Sequence, residues 1–183
     1  MGIDPSINCT GVCVSLNDEY IYNIIPSKMT KKMSNFKHPR INILSYNKLE
    51  MNDLEYSDKE YNKVQNLVQI CNKLEEIIDK FSVQLVCMEG VSYGSVGSAA
   101  LVDLAGLNFM IRYMLSKKGI KFIIVSPTSL KKFAVANGSA TKDLMVYAWH
   151  ELDQEMKTIK DIKVDDLADA YFLMQYALNK YEI

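Results

Sequence analysis

Four acidic residues stand where an acid is costly to keep: Asp4 in GIDPS, Glu89 closing the run QLVCMEG, and Asp166 with Asp169 in VDDLADAY. A carboxylate at the edge of an apolar core needs something to compensate its charge. Oxygen donors of this kind suit a hard divalent cation, so acids gathered from three distant stretches point to a metal site. Each of them alone admits a plainer explanation. Asp4 beside Pro5 also reads as a turn residue, Glu89 as a solvated strand end, and the aspartate pair as acids stabilised by the positive end of a helix.

Spacing sharpens these readings. Asp166 and Asp169 are three apart, so on a helix they share a face, and Phe172 and Leu173 continue it. Asp165 points about 100° away and reads as a capping or solvated acid. Glu89 follows Leu85, Val86, Cys87 and Met88, which fill both faces of a strand, and so falls at the carboxyl end where α/β sheets place their sites. In GIDPSINCTG an acid ends a strand and a small-residue turn leads through Thr10-Gly11 into the next. Polynucleotidyl transferases and actin-like sugar kinases both begin this way, because each must bring a metal or phosphate close to backbone.

The elements that position these residues follow from pattern. After a short first strand at Met1 to Asp4, GVCVSLN and EYIYNII predict a hairpin across the turn-favouring pair Asn17-Asp18. From Pro26 to about Tyr56 no period is visible, and the segment reads as a long excursion or partly mobile insertion. Ser57-Asp58-Lys59-Glu60 has the form of a capping box, and Val64 to Phe81 carry apolar residues at helical spacing. A buried strand at Gln84 to Glu89 is followed by a glycine-bearing loop and a helix over Ser98 to Lys118. Another strand covers Lys121 to Val125. Three helices then follow: a short one opened by Ser126-Pro127-Thr128, one from about Thr141 to Met156, and a last from about Val164 to Lys180. This order predicts an α/β fold, a mixed five-stranded sheet led by an antiparallel meander and flanked by helices.

Composition bounds the rest. With 183 residues, 49% of them hydrophobic and 23% charged, the chain is expected to form one domain, residues 1–183, with a basic insertion at about 27–56. No apolar stretch reaches the roughly 18 to 20 residues of a membrane span, and no leader pattern follows Met1. A cytoplasmic protein with no membrane partner is therefore expected. The brevity of the strand before Asp4 leaves room for a start upstream of Met1. Cys9, Cys13, Cys71 and Cys87 lack zinc-ligand spacing and read as reduced packing residues. Net charge is only −1, yet Lys28, Lys31, Lys32, Lys37, Arg40 and Lys48 crowd a segment that holds none of the 22 acids. Such a segment can contact phosphates, or it can be a solvated loop.

Taken together, these residues resemble the RuvC-type Holliday junction resolvases of the RNase H-like superfamily. GIDPS with Thr10-Gly11 is similar to the family's first motif, MEG to its second acid, and DDLADA to its C-terminal helix. SPTSLKKFAVANGSATK is similar to its lysine-bearing segment. The resemblance implies an RNase H-like fold and Mg-dependent endonuclease chemistry on DNA. In it Asp4, Glu89, Asp166 and Asp169 hold two Mg²⁺ ions, with Mn²⁺ a substitute, Lys142 stands near the scissile phosphate and Lys131 is a second basic helper. It also implies a homodimer that nicks opposing strands of a four-way junction. The helix at 98–118, apolar almost all round, reads either as packing one face on the sheet and another on a partner, with Gly106 permitting close approach, or as a helix buried within one domain. Lys132 and Lys117 read as solvated.

Two departures bear on substrate. The family carries an aromatic residue soon after its second acid, whereas here Ser92 precedes Tyr93, so Tyr93 is the candidate to contact an unstacked base. The insertion, with Lys31, Lys32, Lys37 and Arg40 as candidate DNA contacts, lengthens the path between the first two acids. Nucleases of other branched DNA or of RNA–DNA hybrids therefore stay open, as does an inert nucleic-acid-binding module. An actin-like kinase would need a second domain. The abundance of Asn, Lys, Ile and Tyr suggests an AT-rich genome, such as a bacteriophage's, and hence a bacterial or phage-infected host cell.

Overall fold

β-branched and aromatic runs give the start of the chain its antiparallel meander: β1 (Gly2–Asp4), β2 (Cys9–Leu16) and β3 (Glu19–Pro26). The computed structural model describes residues 1–17, 19–91, 98–160 and 162–181. β2 and β3 pair from Cys9 with Pro26 to Leu16 with Glu19. Asn17 opens their turn at φ 49°, a conformation that asparagine tolerates better than most side chains. Asp18, the other half of the expected turn pair, lies outside the described residues. β1 lies antiparallel to β2, with Asp4 opposite Gly11, and parallel to β5 (Leu85–Glu89). β6 (Lys121–Val125) extends the parallel half.

The five strands expected from the sequence are six, in the order β4-β3-β2-β1-β5-β6. The additional strand, β4 (Ile41–Ile43), lies inside the expected excursion and pairs parallel to β3. Three residues are too few to show a period. The rest of the insertion is also built. α1 (Lys31–Asn35) is capped by the Thr30 hydroxyl, which accepts from the Met33 amide at 3.2 Å. Further on, Gln69, Asn66 and Asn62 donate side-chain amides to the carbonyls of Asn47, Leu49 and Glu50 at 2.7, 3.1 and 2.8 Å. Asn66 also accepts from the Leu49 amide at 2.7 Å. The extended backbone is thereby strapped along α2 (Tyr56–Lys80).

Alternating strand residues feed two cores, one on each face. Ile3, Val12, Val86 and Met88 pack against α2 and α3 (Ser98–Lys117). Cys13, Tyr22, Ile24 and Cys87 pack against α4 (Pro127–Val135), α5 (Lys142–Leu152) and α6 (Val164–Tyr181). The four cysteines are free and buried. Several local expectations change. The Ser57 capping box does not form, since α2 begins at Tyr56 behind Glu55, with no side-chain cap bond. The helix expected to reach Met156 stops at Leu152 and gives way to a 3₁₀ turn over Gln154–Thr158. The interruption is Asp153, whose buried carboxylate accepts from the Tyr22 hydroxyl at 2.9 Å and the Arg40 guanidinium at 2.6 Å.

α3 is the one helix among the described residues long and apolar enough, by length and composition, to cross a membrane, contrary to the expectation that none would be. It packs as one of a helix pair, with Leu107, Ile111 and Leu115 wholly buried. Gly106 faces α2, where an added Cβ would meet Leu67 at 3.6 Å, rather than an outer face. The solvent side of α3 instead presents Val102, Phe109 and Tyr113, exposed by 69%, 62% and 67%.

Candidate active site

The first acid is set by a braced turn. Thr10, wholly buried, donates its hydroxyl to the Ser6 carbonyl at 2.9 Å and accepts from the Ser6 amide at 3.2 Å. This closes the chain behind Asp4 and returns it into β2. Glu89 ends β5, where the Gly90 amide binds the Val125 carbonyl at 2.8 Å and Asn108 of α3 donates to the Glu89 carbonyl at 2.9 Å. Because β1 and β5 run parallel and adjacent, both acids emerge at one sheet edge.

Asp166 and Asp169 reach the same edge because α6 lies directly on β1 and β2. A Cβ on Gly11 would stand 2.2 Å from the Asp166 carbonyl oxygen, and one on Gly2 only 2.0 Å from that of Ala170. No side chain other than hydrogen leaves room for that seating. Beyond it, Phe172 and Leu173 are buried as the spacing predicts.

Two lysines complete the edge. Ser126 caps α4, accepting from the Ser129 amide at 3.1 Å, with Pro127 in the first turn. Lys131 then falls one turn on. Thr141 caps α5, accepting from the Leu144 amide at 3.3 Å, and Lys142 is the first residue of that helix. Gly138 lets the loop between them close on Thr128, since a Cβ there would stand 2.8 Å from the Thr128 methyl. Glu89, Asp169, Lys131, Lys142 and Asn108 line one cavity of about 420 Å³, with Pro5, Leu104 and Met145 among its walls.

The carboxylates perturb one another. Burial, then the charges of Glu89, Asp169 and Asp166, hold Asp4 well above the usual carboxylate range, against the pull of Lys142. Glu89 is pushed up to about 7 by burial and by Asp169, with Lys131 and Lys142 opposing. Asp166 and Asp169 rise to about 6, each chiefly through burial. A hydrogen bond from the Cys9 thiol and the charge of Lys142 restrain Asp166. Asp165 differs: burial works against its charge, yet the bond from Lys142 Nζ at 2.6 Å takes it below the ordinary value. It is thus a first-turn acid of α6 that accepts from backbone as well as from Lys142, not a free solvated one.

Among the described residues, no three His, Cys, Asp or Glu side chains already stand at a spacing that grips one ion. The donor chemistry fits a cation nevertheless. Four oxygen-donor side chains repel one another at a desolvated edge, with lysines alone as counter-charge, and a hard divalent ion relieves that repulsion. Asp4, Glu89, Asp166 and Asp169 would hold it.

The structure therefore brings together Asp4, Glu89, Asp166, Asp169, Lys131 and Lys142. Arg40, expected as a DNA contact, pairs through Nη2 with Asp153 at 2.6 Å and Glu155 at 3.1 Å and so anchors the insertion. Lys31, Lys32 and Lys37 are exposed on that insertion. Tyr93 lies outside the described residues. Asn108 and the seating glycines Gly2 and Gly11 had not been singled out for these roles. A lone amide between Leu107 and Phe109 was the available signal for the first.

No family model matches the sequence, and no curated protein matches it. Solved structures do. RuvC of Thermus thermophilus covers 99% of this chain and 95% of its own at 14% identity, with a TM-score of 0.56. T. thermophilus RuvC in complex with a Holliday junction substrate covers 98% and 93% at 10% identity, with a TM-score of 0.63. The yeast mitochondrial Holliday junction resolvase Ydc2 covers 98% and 80% at 18% identity, with a TM-score of 0.55. The mixed six-stranded sheet with flanking helices is thus a fold that this chain shares with these solved structures.

Proposed function

We propose that this chain is a structure-selective DNA endonuclease that resolves Holliday junctions by metal-dependent phosphodiester hydrolysis. The observation that carries the reading is the convergence of Asp4, Glu89, Asp166 and Asp169, each with its pKa raised, beside Lys131 and Lys142 on a fold shared with RuvC. When bound there, two Mg²⁺ ions, or Mn²⁺ in their place, would activate a water and neutralise charge on the phosphate.

The chain's own residues do the remaining work. The parallel β1–β5 pair and the α6 seat fix the backbone positions of the acids, so that little main-chain freedom is left to lose when substrate arrives. Lys142, exposed and held by Asp165, is placed to exchange that carboxylate for a phosphate oxygen and to offset charge building there. Lys131, which lines the same cavity, supplies a second positive charge. Lys31, Lys32 and Lys37 contact flanking phosphates, and Tyr93 an unstacked base.

Two such sites work together in a homodimer formed through the outer face of α3, giving paired nicks in opposing strands. A cytoplasmic setting, in a bacterium or a phage-infected host, goes with this reading. The test incubates the protein in Mg²⁺ with a synthetic four-way junction, a fork, linear duplex and an RNA–DNA hybrid, beside Asp169→Asn. Paired cuts in the junction that vanish in the variant are expected. Cutting confined to the fork or hybrid would move the assignment to another branched-DNA or hybrid nuclease. Junction binding without cleavage in any divalent cation would make the protein an inert binding module.

A further inference from the structure

Asn108 is a buried polar group for which acid–lysine chemistry has no use. It stands on α3 between Leu107 and Phe109, is 1% exposed, and lines the cavity shared by Glu89 and Asp169. Its Nδ2 donates to the Glu89 main-chain carbonyl at 2.9 Å, which fixes the other end of the carboxamide as oxygen. That Oδ1 is buried and meets no donor among the described residues. Leucine would fill the same volume in this apolar helix without leaving an acceptor unmatched. Buried acceptors without donors are rare, and one at a cavity wall is accounted for when a bound group brings the donor. The depth of Asn108 limits that donor to something the size of water.

We propose that Asn108 is a positioning residue of the cation site: its amide fastens the main chain at Glu89, and its Oδ1 accepts a hydrogen bond from a water in the hydration shell of a divalent cation held by Glu89. This rests on the metal-dependent reading of the same edge. A small divalent cation keeps several of its waters, and protein acceptors outside the ligand set orient them.

The experiment measures Mn²⁺ binding by titration calorimetry, without DNA, for the wild type, Asn108→Leu and Asn108→Gln, with thermal melts in chelator as the check on folding. Asn108→Leu is expected to weaken Mn²⁺ binding by about 10- to 100-fold, the usual effect of losing such a partner. Asn108→Gln, which keeps both the donor and the acceptor and adds no charge, is expected to bind within about threefold of the wild type. Wild-type affinity in Asn108→Leu overturns the proposal, and so does an Asn108→Gln variant that folds but binds about 10-fold or more weakly than the wild type. That second arm decides the matter if the leucine variant does not fold. A wild type that takes up no Mn²⁺ sinks the metal-dependent reading itself, an outcome separate from either.

Discussion

At the scale of single residues, the site is defined by protons it should not hold. Burial, with repulsion from neighbouring carboxylates, pushes Glu89 up to about 7 and Asp166 and Asp169 up to about 6, whereas the unfolded chain releases the same protons near 4. Between those values the folded state carries more protons than the unfolded one, so its stability falls as pH rises. The metal-free protein is therefore expected to melt at a lower temperature at pH 7.5 than at pH 5. Mg²⁺ should restore most of the difference at pH 7.5, where it replaces the lost protons. Asp169→Asn should flatten the metal-free pH dependence and raise the melting temperature at pH 7.5, because one repelling charge is gone. Thermal melts with and without chelator check all three, and a metal-free melting temperature that climbs between pH 5 and 7.5 would contradict the electrostatic picture. The acids were legible in the sequence because a charge in an apolar run breaks the pattern. Asp165 was not, since its bond to Lys142 spans 23 positions and belongs to no period. Asn108 escaped because an amide interrupts an apolar helix far less conspicuously than a charge.

At the scale of elements, the geometry depends on how closely α6 approaches the sheet. Gly2 and Gly11 are the points of contact, and Gly11 lies directly beneath Asp166. Gly11→Ala must push the helix away, an overpacking expected to cost about 1–3 kcal/mol. Displacement falls on the turn of α6 that bears the aspartates, so divalent-cation affinity should drop more than melting temperature alone would suggest. Calorimetric titration beside a urea melt separates the two, and a Gly11→Ala protein with unchanged cation affinity would show that the seat does not set the acids. The motif GIDPS was visible as a turn that ends in an acid, but a sequence does not show which helix a glycine must admit. The insertion is only partly legible for a related reason. Its order comes from partners far along the chain, Asn66 and Gln69 on α2 and Asp153 after α5, so its local composition reads as loop while its contacts make it structure.

At the scale of the whole molecule, a net charge of −1 conceals a division of labour among the basic residues of the insertion. Arg40 is withdrawn from solvent by Asp153, while Lys31 and Lys37 stand exposed on the same segment. Replacing Arg40 with Met leaves the Asp153 carboxylate buried with Tyr22 alone, among the described residues, to bind it, a change expected to cost about 3–5 kcal/mol. Replacing Lys31 and Lys37 with Gln should hardly move stability, yet should reduce the slope of log affinity for junction DNA against log salt by about 0.9 for each phosphate that is no longer neutralised. Melts and salt-series binding on the two variants distinguish an anchor from a DNA-binding surface, and equal effects on both readouts would deny the division. The outer face of α3 belongs to the same scale. Val102, Phe109 and Tyr113 form an exposed apolar stripe that spans most of the helix, whereas its inner face is already filled by the core beneath. A paired α3 would bury these side chains, and charge introduced there would have to be desolvated on both sides of a twofold axis. Phe109→Glu with Tyr113→Lys should therefore shift the protein from dimer to monomer in sedimentation velocity while its metal-dependent melting behaviour stays intact. Paired nicking of a junction should decay into uncoordinated single nicks in the same variant. A wild type that sediments as a monomer at micromolar concentration would leave the stripe without its second copy, and coordinated cutting without its physical basis.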